Sequence, residues 1–86
     1  MIQEQGICYD VIIKDDRTND TEPYTIYVNY IYQYYEQTII NCDIIDDLGT
    51  LYINQNIPRE NIIYDKKSSQ EDCNFVLNHY FDSLDY

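Results

Sequence analysis

The chain has 86 residues, with sixteen Asp and Glu against five Lys and Arg, a formal net charge of -11 and a pI near 4.1. One domain accounts for this length, and so few basic residues argue against a phosphate-tracking nucleic-acid binder and against an anionic membrane surface. Eleven Tyr and fourteen Ile exclude a disordered acidic tail, which lacks bulky side chains.

Ile7 to Lys14 is rich in β-branched and aromatic residues and reads as a first strand. Asp15 to Pro23 holds four acids, two Thr, an Asn and a Pro, and reads as a solvated loop. Tyr24 to Tyr35 carries two periodicities. At period two, Tyr24, Ile26, Val28, Tyr30, Tyr32 and Tyr34 share one apolar face, with Tyr27, Ile31 and Tyr35 on the other. At helical spacing, Tyr24, Tyr27, Val28, Ile31, Tyr34 and Tyr35 form a stripe. The residue types decide for a strand, because branched and flat side chains fit a pleated surface.

Thr38 to Ile45 alternates as a third strand. Asp46-Asp47-Leu48-Gly49 is a turn in which Gly49 supplies a positive φ. Thr50 to Asn54 reads as a fourth strand, Pro58 interrupts the ladder because it has no amide hydrogen, and Asn61 to Tyr64 is a short fifth strand. Short connections imply antiparallel pairing. From Ser68 onward the pattern becomes helical. Ser68 with Glu71 fits a capping box, Glu71 and Asp72 suit the first turn, and Cys73, Val76, Leu77, Tyr80, Phe81 and Leu84 share one side. The expected architecture is α+β: a curved antiparallel sheet of four to five strands, of which an SH3-like half-barrel is one form, packed by one C-terminal helix.

Cys8, Cys42 and Cys73 lie far apart with no C-x-x-C pair, which suits free thiols in a reducing cytosol rather than a disulfide framework. The N-terminus lacks a basic region followed by an apolar core, and no apolar run approaches a membrane span. A cytoplasmic protein is expected.

Catalytic elements are missing. Nucleotide loops and nucleophile elbows need glycines, and the chain has two, Gly6 and Gly49. His79 is the single histidine; a Cys–His pair would use Cys42 or Cys73, and Cys73 falls on the expected core stripe, where a thiol stays protonated. Asp15 to Glu22 has the acid density of a calcium loop but neither its glycine nor its twelfth-position Glu. Neither an enzyme nor a bound metal or cofactor is expected.

The remaining class is a ligand for a basic protein. The acids fall in stretches expected on the surface: Asp15, Asp16, Asp20 and Glu22; Asp43, Asp46 and Asp47; Glu71 and Asp72; Asp82 and Asp85. Spaced carboxylates can imitate the phosphates of a nucleic acid and steer a basic partner. Phe75 and His79 lie four apart on the acidic side of the expected helix, and Tyr27 and Tyr35 on the outer face of the second strand. Aromatic side chains of this kind anchor interfaces.

In type, this short, very acidic, Tyr-, Ile- and Asn-rich chain without an active site is similar to small phage or mobile-element proteins that inhibit host defence: anti-CRISPR proteins, antirestriction proteins and uracil-DNA glycosylase inhibitors, several of which are nucleic-acid mimics. No residue role carries over from that likeness. It implies a stoichiometric inhibitor of a nucleic-acid-binding enzyme such as a CRISPR effector. An immunity protein or antitoxin capping a basic nuclease rests on the same physics. A structural or assembly module that homodimerises through its aromatic strand face is the third reading.

Overall fold

The computed structural model describes residues 2–46 and 48–68. They form one five-stranded antiparallel sheet: β1 (Cys8–Lys14), β2 (Thr21–Tyr34), β3 (Gln37–Ile45), β4 (Leu51–Pro58) and β5 (Ile62–Lys67), with a single 3-10 turn, Arg59–Asn61, before β5. The spatial order is β4-β3-β2-β1-β5. Four strands run as a meander, and the fifth returns to the far side of β1. Residues Pro58 and Ile62 are four apart, so the chain between them spans at most about 14 Å. A flat sheet would hold its two edge strands about 19 Å apart. The short link therefore requires the sheet to curl.

The α+β class expected from the sequence is corrected. The described residues are nearly all sheet, with no helix of seven or more residues among them and none packed on the sheet. The helix expected from Ser68 lies, beyond Ser68 itself, outside the described residues. Ser68 continues the strand pairing: its amide donates to the Cys8 carbonyl at 3.0 Å and its hydroxyl to Asp10 Oδ1 at 2.9 Å.

Strand bounds shift for local reasons. β2 begins at Thr21, so part of the expected loop is strand, and Pro23 pairs opposite Ile12. Pairing of β2 with β3 ends at Thr25, so Pro23 sits where β2 has one neighbour, a setting that tolerates proline. β4 runs on to Pro58 rather than stopping at Asn54, because an edge strand needs ladder bonds on one side only.

The core lies on one face. Tyr9 and Val11 of β1, Ile26 and Val28 of β2, and Ile40, Cys42 and Ile44 of β3 pack together, with Ile57 and Ile62 added from the edge strands. Ile2 is buried among them, and its carbonyl accepts a hydrogen bond from Arg59 Nη2, which ties the N-terminal segment to the 3-10 turn.

A bulge at Asn29 reorganises β2. Val28 pairs with Cys42 but Tyr30 pairs with Asn41, so Asn29 is the extra residue. An inserted residue flips the alternation beyond it. Ile31, expected outside, packs on the core, while Tyr30, Tyr32 and Tyr34, expected inside, join the opposite face. A second bulge lies in β4 opposite Asp43, where Asn54 takes φ 56°.

Candidate functional site

Two regions collect the residues expected to bind a partner. The first is the end of the sheet formed by the β1–β2 and β3–β4 connections. In the β1–β2 loop, the Asp15 amide donates to the Asp20 carbonyl and the Asn19 amide to the Asp15 carbonyl, with Asn19 at φ 61°. Asp15 Oδ1 accepts the Arg17 amide at 2.7 Å, and Asp16 Oδ2 accepts Asn61 Nδ2 at 3.1 Å. The acids thus shape the loop that displays them. In the β3–β4 connection, Asp46 Oδ1 accepts the amides of Leu48 and Thr50 at 3.0 and 2.8 Å, and Gly49 takes the expected positive φ, 84°.

Tyr24 stands between these connections. Asp15, Asp20 and Glu22 line a cleft of about 300 Å³ with it, and Glu22 and Asp46 line a second cleft with it and Tyr52. The Tyr24 hydroxyl donates to Glu22 Oε2 at 2.8 Å. That hydrogen bond, then burial, then the negative charges of Glu22 and Asp46 push the phenol up to about 12. Acids more than twenty residues apart in sequence therefore act on one hydroxyl.

The second region is the face opposite the core. Tyr27 is half-buried there against Cys8 and Ile45. Asp43, expected on the surface with Asp46, is instead 4 % exposed. Its Oδ1 accepts the Asn54 amide at 2.9 Å and Asn29 Nδ2 at 3.1 Å. Asn29 Nδ2 also reaches Asn41 Oδ1, Asn41 Nδ2 donates to Asn56 Oδ1, and the Tyr32 hydroxyl ends the chain on Asn56 at 3.2 Å. The carboxylate is consumed in bracing both bulges. It is a structural group, and the alternation of β3 places it beneath the face.

Further along this face Tyr30 and Tyr32 stack at a tilt with centroids 5.7 Å apart. At the β2–β3 turn, Tyr34 and Tyr35 meet edge to face at 4.7 Å. Tyr35 is not a strand residue but the first of two turn residues, at φ 55° and 88 % exposed. Glu36 follows it, and Gln37 donates to Glu60 Oε1 at 3.1 Å. Sequence reading missed Tyr30, Tyr34, Glu36 and Glu60. Only recognition of the Asn29 bulge would have turned the tyrosines outward.

Of the expected site residues, Asp47, Glu71, Asp72, Phe75, His79, Asp82 and Asp85 lie outside the described residues. Among the described residues no cluster of three or more His, Cys, Asp or Glu is arranged to hold a metal ion, and no helix is long and apolar enough to cross a membrane. Cys42 is fully buried; burial first, and Asp43 second, raise its thiol to about 12, which keeps it protonated and unreactive.

Comparison with family models, with curated proteins and with solved structures finds no match to this chain.

Proposed function

We propose that this protein is a stoichiometric inhibitor, encoded by a phage or mobile element, that covers the basic nucleic-acid-binding site of a host defence enzyme such as a CRISPR effector. The observation that carries the reading is the convergence of Asp15, Asp20, Glu22 and Asp46 around Tyr24 in a chain of net charge -11. Carboxylates displayed from two adjacent connections offer a basic groove a row of negative charge in place of phosphates. The surrounding field of like sign steers a positive surface toward that end. Asp16 extends the row along the loop and is oriented by Asn61.

The test is inhibition of DNA cleavage by purified effector–guide complexes, titrated with this protein. The expected result is loss of cleavage at one equivalent, with affinity that falls steeply as salt rises. Affinity unchanged at about 0.5 M salt overturns electrostatic mimicry. Replacing Asp15, Asp16 and Asp20 by Asn should weaken the complex and flatten its salt dependence, since each lost charge removes one contact of that kind.

A further inference from the structure

The β2–β3 turn carries an arrangement that the fold does not require. A two-residue hairpin turn that needs a positive φ takes Gly or Asn by preference. Here the position holds Tyr35, at φ 55°. A side chain in the left-handed region is strained, and a residue that is 88 % exposed recovers little of that by burial. The neighbouring Tyr34 is also exposed, and the two rings hold each other edge to face at 4.7 Å. An edge-to-face pair occupies one face of one ring, so the pair itself leaves three ring faces open.

Charge identifies what such rings accept. Glu36 follows Tyr35 in the turn, and Glu60 is joined to the same turn through Gln37. Exposed aromatic rings in an acidic stretch of surface attract a cation, and a planar guanidinium can both stack on a ring and pair with a carboxylate. A nucleobase would also stack, but its phosphates would meet Glu36, Glu60 and the -11 charge of the chain.

We infer that Tyr34 and Tyr35, at a turn that also carries Glu36 and is tied to Glu60 through Gln37, form an arginine-receiving surface for the basic partner protein. This rests on the inhibitor reading and adds a chemical preference to it: the partner is engaged through arginine in particular, beyond its positive charge. The surface is centred on the β2–β3 turn, and Glu60 is next in sequence to Asn61, which holds Asp16 of the β1–β2 loop.

The experiment measures binding of fluorescein-labelled deca-arginine and deca-lysine peptides, which carry equal charge, to the full chain and to Tyr35→Gly. Gly suits the positive φ, so this variant should melt no lower than the parent. The expected result is salt-dependent binding of both peptides, with deca-arginine about threefold tighter or more. In Tyr35→Gly the preference should vanish, because deca-arginine loses more affinity than deca-lysine. Equal affinity for the two peptides in the parent, or a preference that survives in Tyr35→Gly, overturns the arginine surface and leaves the inhibitor reading standing. Failure of both peptides to bind overturns the two together.

Discussion

The carboxylate of Asp43 holds two bulges in place, one in β2 through Asn29 and one in β4 through the Asn54 amide. Removing it takes the acceptor from the Asn54 amide and from Asn29 Nδ2, and loosens the chain of amides that runs on to Asn56. Asp43→Ala is therefore expected to lower unfolding free energy by about 2–3 kcal/mol, read as a shift of the urea midpoint. Asp46→Asn, whose side-chain oxygen still accepts the turn amides, should cost much less by the same measurement. Cys42 and Tyr24 set a pH dependence at the alkaline side. Both have native values raised to about 12, above 9.0 and 10.0 for the free groups. Below pH 9 both states hold these protons and the contribution is fully present. Above it the unfolded chain binds fewer protons than the native one, so stability falls as pH rises toward 12. Urea midpoints measured from pH 8 upward should decline through this window, and a flat profile would contradict the buried placement of Cys42.

At the scale of the element, β2 carries the informative departure. Fourteen residues of alternating sequence look uniform, yet the bulge at Asn29 exchanges the faces of everything beyond it. Ile31→Ser should cost about 2 kcal/mol because a packed side chain is replaced by a hydroxyl. Tyr30→Ser, on the exposed side, should stay within about 0.5 kcal/mol. Uninterrupted alternation predicts the reverse ranking, so the two urea midpoints decide between them. The pattern of β-branched and aromatic residues was sufficient to place all five strands, because a half-buried pleated surface selects those types over short windows. The bulge left no comparable trace, since its stabilising partners, Asn41, Asp43 and Asn54, come from other strands.

For the whole molecule, the charge sets the working conditions. Asp15, Asp16, Asp20, Glu22 and Asp46 lie at one end, and like-charge repulsion there opposes folding. The melting temperature should rise with added salt up to about 0.5 M, and scanning calorimetry of the Asp15→Asn/Asp16→Asn/Asp20→Asn variant should show a smaller rise. The same substitutions weaken the proposed partner complex, so stability and binding are expected to move in opposite directions. That opposition is the thermodynamic mark of a surface arranged for an opposite charge rather than for the fold.

What followed from the sequence alone was local or additive. Net charge is a sum over residues, strand identity is read within a few neighbours, and the positive φ at Gly49 belongs to one turn. Tertiary structure decided which residues share a face and which acids share a field. Asp43 and Asp46 stand three apart, but one props the sheet and the other lines the acidic end. Ile31 and Tyr30 are adjacent, but one lies in the core and the other is exposed. Both outcomes depend on strand pairing across sequence separations of ten residues and more, where a single inserted residue reverses orientation. Charge and periodicity carry no record of that insertion until the partner strand is in place.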